Sequence, residues 1–152
     1  MKISLPVPHS IYERAVLLDT SALEAIIDAR DRCNKDAIQC LIELRNISYP
    51  IYITNLTIAE THRRLLYKPH FDNRLALSFL VNIYDGSVNI VRATEADELK
   101  AIGYIERFGD QKLTLTDAVS MAVMIRLRMR KIFSFDWHFR LLGFQIIPPL
   151  FS

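Results

Sequence analysis

Four acidic residues stand where short apolar runs give way to polar or helical sequence. Asp19 closes "AVLLD" (15–19), and Glu60 lies early in "NLTIAETHRRLLY" (55–67). Asp117 opens "TDAVSMAVMIRLRMR" (116–130), and Asp136 directly follows "KIFSF" (131–135). Carboxylates in such places are candidates for holding a hard cation, because ligands of open α/β sheets sit beyond the carboxyl ends of the strands. Each acid also has a plain structural role. Asp19 can cap the helix that begins near Ser21, Thr57 and Glu60 fit a capping box, and Asp136 can start a turn before Trp137. Asp117 in a first helical turn gains roughly 0.3–1 kcal/mol from the helix dipole. A cap contributes about 1 kcal/mol, whereas two carboxylates about 5 Å apart repel by about 3 kcal/mol at an effective dielectric near 20. If the topology gathers all four acids at one edge, capping does not account for the gathering. Protonation or a bound dication must then relieve it. All-oxygen ligands suit Mg²⁺ or Mn²⁺, and no Cys/His spacing suits zinc.

The elements that would position these acids follow from periodicity. Five apolar, β-branched runs read as strands: 15–19, 50–54, 87–92, 131–135 and 144–148. Helical periods lie between them. One starts at Ser21, and one spans 35–45 with Ile38, Leu41, Ile42 and Arg45 on one side. "NLTIAETHRRLLY" groups Ile58, His62, Leu65 and Leu66, and "NRLALSFLVNIY" (73–84) is apolar over most of its circumference, which predicts a largely buried helix. Two more helices separate the third and fourth strands. Alternating strands and helices predict one α/β domain whose parallel sheet is covered on both faces, since parallel neighbours need helical crossovers. Residues 1–12 read as an arm before a domain spanning 13–152.

The bulk properties are those of a globular chain. It has 152 residues, 51% of them hydrophobic, and a net charge of +2, too small to announce a nucleic-acid binder by itself. Cys33 and Cys40 form no CxxC pair and read as reduced, packed thiols of a cytoplasmic protein. No apolar run approaches the length of a membrane span, and "MKISLPVPHS" lacks the apolar core of a signal peptide.

The chain resembles the PIN-domain family of metal-dependent ribonucleases, most of all the toxin halves of VapBC-type toxin–antitoxin pairs. The resemblance runs from residue 15 to about 149 and rests on "LLDTSAL", "TNLTIAETHRRL", "FGDQKLTLTDAVSMAVM" and "IFSFDWHFRLLGFQIIP". It implies that Asp19, Glu60, Asp117 and Asp136 form the family's acidic quartet, holding one or two Mg²⁺ or Mn²⁺ ions. Thr20 or Ser21 matches the small polar residue beside the first acid, and Ser134 the hydroxyl residue two before the last. It further implies a five-stranded sheet in the order 3-2-1-4-5, RNA as substrate, a homodimer, and a cognate antitoxin. PIN domains of RNA processing and catalytically silent PIN-like binding modules are the alternatives.

The neighbouring residues divide less cleanly. Arg63, Arg64 and Lys68 follow Glu60 and are candidates for RNA phosphates, though Glu60 can pair with Arg63 or Arg64 along the helix. Arg126, Arg128, Arg130 and Lys131 end a helix, where cations suit the dipole. His138 lies near the presumed site and is a candidate for RNA contact, whereas His62 falls on an apolar face. Trp137, Phe139 and Phe144 abut the last strands and read as core. A P-loop is excluded by the absence of GxxxxGK[ST], and Lys131 stands on the wrong side of its strand for a receiver-like phosphoacceptor.

Overall fold

The computed structural model describes residues 11–149, so most of the expected N-terminal arm lies outside the described residues. Ile11–Arg14 winds into a short 3-10 turn that sets the Tyr12 ring edge-on to Tyr52, with centroids 5.2 Å apart. The chain then enters the central strand β1 (Val16–Leu18). Strands β2 (Ile51–Thr54), β3 (Asn89–Val91), β4 (Lys131–Phe133) and β5 (Gln145–Ile147) complete a five-stranded sheet. Its order is β3-β2-β1-β4-β5 and every pairing is parallel, as the alternating pattern and the family resemblance predict. Helices α1 (Thr20–Ile27), α2 (Asn34–Asn46), α3 (Asn55–Tyr67), α4 (Asn73–Asn82), α5 (Glu95–Arg107) and α6 (Leu115–Leu127) supply the crossovers.

Period-two alternation in β1 decides which layer each side chain enters. Val16 and Leu18 join a core with Leu23, Ile53, Leu65 and Phe133 beneath α1 to α4. Leu17 faces the other way, into Met121, Met124, Ile132 and Phe139. Helix α6 is buried over most of its circumference because α5 covers its far side, with Ala101 set against Ala118, Val119 and Val123. Pairing register aligns the carboxyl ends of β1 and β4, Leu18 opposite Phe133, so Asp19 and Ser134 emerge side by side.

Three sequence expectations fail, each for a packing reason. Helix α4 is not largely buried: only Ala76 and Phe79 are, while Leu77 and Val81 are about 60% exposed. It lies at the margin and rests on α3 with one face. The buried face of α2 is Ala37, Cys40 and Leu44, leaving Ile38 and Ile42 outside. Ala37, Cys40 and Leu44 join the core that also takes in Ala22, Leu23 and Ala25 of α1, and burial pushes the Cys40 thiol up to about 11. Thr57 is not the cap of α3. The helix starts directly off β2, and Thr54 caps it by accepting from the Thr57 amide at 3.1 Å.

Candidate active site

The first acid is fixed by hydroxyls. Asp19 is 2% exposed and caps α1 weakly, accepting from the Ser21 amide at 3.4 Å. Its Oδ2 accepts stronger bonds from Ser21 Oγ and Ser134 Oγ, both at 2.8 Å. Ser21 Oγ in turn accepts from the Phe135 amide at 2.9 Å, and Ser134 Oγ from the Asp136 amide at 2.9 Å. Two serines thereby stitch the exit of β1 to the exit of β4. The other oxygen, Asp19 Oδ1, is buried with no hydrogen-bond partner. Burial raises the Asp19 carboxyl above its ordinary range, opposed by the bonds from Ser134 and Ser21, with the charge of Asp136 adding to the rise.

Thr20 serves the second acid. Its Oγ1 donates to Glu60 Oε2 at 2.9 Å, joining α1 to α3. Glu60 is therefore no capping-box acid. It sits in the second turn of α3 and is claimed by Thr20 and, at 3.7 Å, by Arg64.

Asp117 lies in the first turn of α6, whose cap is Thr114. Its carboxyl is pushed up to about 7, first by burial and then by the negative charges of Asp19 and Asp136, with Glu60 contributing less. A carboxylate feels other carboxylates in this way only when they are near, so the four acids share one electrostatic neighbourhood. They do not form a closed cage: among the described residues no three His, Cys, Asp or Glu side chains stand as a ready metal-ligand cluster.

Asp136 caps the 3-10 turn Trp137–Leu142, accepting from the His138 amide at 3.0 Å. His138 Nδ1 lies 2.5 Å from Asp136 Oδ1, and its Nε2 donates to the Gln111 carbonyl at 2.6 Å. Burial would lower the His138 pKa, but the bond to Asp136 and its charge outweigh that and raise it. The imidazole also ties the β4 exit to the loop that feeds α6, and so relates Asp136 to Asp117.

The predicted site thus spans β1, α3, α6 and the β4 exit. Thr20, Ser21 and Ser134 all bond to its acids. Arg64 lies 3.6 Å from Glu24 and 3.7 Å from Glu60, and Arg63 lies over the Tyr67 ring at 5.9 Å. Lys68 is committed elsewhere: with His70 it holds buried Asp28, at 2.8 and 2.9 Å. Of the aromatics read as core, Phe139 is fully buried, but Trp137 is 48% exposed. The turn that buries Phe139 points its first residue outward. A tryptophan between two polar residues, Asp136 and His138, was the available signal.

The PIN-domain family model matches residues 16–145. The chain belongs to the PIN-domain family. Among curated proteins none matches it. Several solved structures share the PIN fold. VapC20 of Mycobacterium tuberculosis, a toxin that cleaves the sarcin–ricin loop, superposes with a TM-score of 0.75 at 23% identity, covering 86% of this chain and 96% of that one. VapBC2 of Rickettsia felis, bound to a fragment of its promoter DNA, gives 0.65 at 13% identity, covering 87% and 96%. A toxin–antitoxin complex of Klebsiella pneumoniae gives 0.60 at 18% identity, covering 91% and 100%. At these identities the likeness is one of fold. Among the described residues no helix is long and apolar enough to cross a membrane.

Proposed function

We propose that this PIN domain is a metal-dependent endoribonuclease that hydrolyses RNA phosphodiester bonds, and that it is the toxin of a VapBC-type pair. The observation that carries the reading is the Asp19 carboxylate, whose Oδ2 is held by Ser21 and Ser134 while Oδ1 is buried without a partner. The raised carboxyl of Asp117, from burial and from the charges of Asp19, Asp136 and Glu60, agrees with it. Such crowding of negative charge is destabilising unless something positive relieves it. Toxin structures among the fold relatives support the same reading.

The donor set fits a divalent cation. Asp19 offers a buried carboxylate oxygen without a partner, and Asp117, Asp136 and Glu60 add oxygen ligands of the kind that Mg²⁺ or Mn²⁺ takes. One or two such ions, when bound, would supply Lewis acidity and lower the pKa of a coordinated water. The chain's own contribution is placement. Ser21 and Ser134 hold Oδ2 of Asp19, which leaves Oδ1 for a cation. Thr20 aligns Glu60 to hold and orient a water. His138 keeps one oxygen of Asp136 occupied, which leaves the other for the site.

Incubating the pure protein with structured RNAs, with Mg²⁺, with Mn²⁺ and with chelator, tests the reading. Cleavage should require the cation and leave 5′-phosphate ends; 2′,3′-cyclic phosphate ends would contradict the scheme. Asp19→Asn should reduce cleavage at least a hundredfold while the chain stays folded, and an unaltered rate would refute the assignment. Failure to cleave under any condition would leave a binding module. The cytoplasm, a homodimer and a cognate antitoxin complete the reading. A monomer mass in sedimentation would remove the dimer, and the lack of a small DNA-binding protein encoded just upstream would weigh against the antitoxin.

A further inference from the structure

We propose that Trp137 is a stacking platform for one unpaired base of a single-stranded RNA, set one aromatic ring away from the Asp136 carboxylate. The proposal rests on the nuclease reading and adds to it a residue that would hold one base beside the acids.

Trp137 is the only tryptophan of the chain and is 48% exposed, although it begins a turn whose third residue, Phe139, is fully buried. Its indole lies against the His138 imidazole, with ring centroids 4.3 Å apart and planes inclined by 21°. That imidazole is held at both nitrogens, by Asp136 Oδ1 at 2.5 Å and by the Gln111 carbonyl at 2.6 Å. The indole is therefore backed by a ring that cannot easily swing away. A base that joins this stack orders little that is not already ordered, which is the condition under which stacking gives net affinity.

The geometry also says what kind of ligand fits. A flat, sequence-tolerant π-surface beside a group of carboxylates has little to offer a duplex, whose bases are already stacked on one another. Splayed bases of single strands and loops, by contrast, are commonly held on aromatic side chains. Because His138 connects the indole to Asp136, a base seated on Trp137 would belong to a nucleotide next to the phosphate at the acids. The platform would then fix the register of the strand across the site.

A single tryptophan makes the test direct. The full chain carrying Asp19→Asn, in Mg²⁺, is titrated with a short oligouridylate, with an oligoadenylate and with a blunt RNA duplex of the same length. Intrinsic emission is read together with the anisotropy of labelled RNA. Saturable quenching by the single strands, and little by the duplex, is the expected result. In the active chain Trp137→Ala should raise KM for a single-stranded substrate about ten- to a hundredfold, with the loss falling on KM rather than kcat, and Trp137→Phe should recover most of it. RNA that binds by anisotropy while the emission stays constant would overturn the platform, and so would absence of binding by both readouts. A parent chain that cleaves no RNA yet shows quenching would overturn the nuclease reading and uphold the platform.

Discussion

Asp19 engages its two oxygens unequally: Oδ2 takes two serine hydroxyls, and Oδ1 is buried without a partner. The position of the acid was legible in the sequence because a charge at the end of an apolar run marks a strand exit. The hydroxyl scaffold entered as family matches, and its wiring depends on register. Only the pairing of Leu18 with Phe133 brings Ser134 beside Asp19. Trp137 reads as core from the sequence because it abuts the last strands, and sequence spacing does not give the direction of a 3-10 turn. Thr20 tests the scaffold without removing an acid. Thr20→Val deletes the 2.9 Å bond to Glu60 and keeps the shape of the side chain. One neutral-to-charged hydrogen bond contributes about 1.5–3 kcal/mol, but Glu60 retains Arg64 and partial access to water, which reduces the loss. Stability should fall by about 1 kcal/mol in urea unfolding, and RNA cleavage by about tenfold, since Glu60 loses its alignment. Unchanged cleavage would show that Thr20 does not position Glu60.

Helices were legible as periods and less so as faces. The expected positions of α2 and α4 hold, but the faces they bury do not follow the largest apolar residues. In α2 the core takes Ala37, Cys40 and Leu44, and in α4 only Ala76 and Phe79 are buried. What holds α5 on α6 was not visible in periodicity at all. Thr94 and Asp97 form a capping box at the start of α5, and Asp97 also receives Arg126 of α6 through Nε and Nη2, both at 2.9 Å. Burial alone would raise the Asp97 carboxyl, but Arg126 and Thr94 outweigh it and hold it low. This pair therefore anchors the helix that carries Asp117, from its opposite end. Asp97→Ala removes the reciprocal cap and strands a guanidinium that is 38% exposed, so solvent screens part of the loss. The expected cost is about 2 kcal/mol, read as a lower urea midpoint. Thr94→Ala should cost about 1 kcal/mol, because it removes the cap alone. Equal losses for the two variants would mean that the ion pair contributes nothing.

At the scale of the whole molecule, the strand order sets β1 beside β4, so that Asp19 and Ser134 leave the sheet together, and Asp117 is raised by the charges of Asp19, Asp136 and Glu60. The sequence displayed the four acids at 19, 60, 117 and 136 with no local sign that they meet, and the parallel sheet, readable from alternation, supplied the meeting place. The convergence has a consequence for stability against pH. Asp117, at about 7 against an ordinary 3.8, keeps in the folded state a proton that the unfolded chain releases. Its contribution is full below pH 4 and is lost as pH rises through about 7. Asp19 acts in the same direction, and so does His138, whose raised pKa lets it hold its proton longer when folded. Asp28, which Lys68, the Arg30 amide and His70 hold low against its burial, and Asp97 work the other way, with stability present above pH 4 and lost as pH falls. The cation-free chain should thus be most stable near about pH 4–5, and its Tm should decline from there to pH 8. A dication needs the deprotonated acids, so Mg²⁺ or Mn²⁺ should raise Tm most at pH 8 and least at pH 5. Asp117→Asn removes one of these titrations, and should flatten the decline and weaken the metal response together. A parent Tm that is level from pH 5 to 8 and indifferent to either cation would mean that the four carboxylates do not crowd one another in solution, and the proposed chemistry would lose its physical basis.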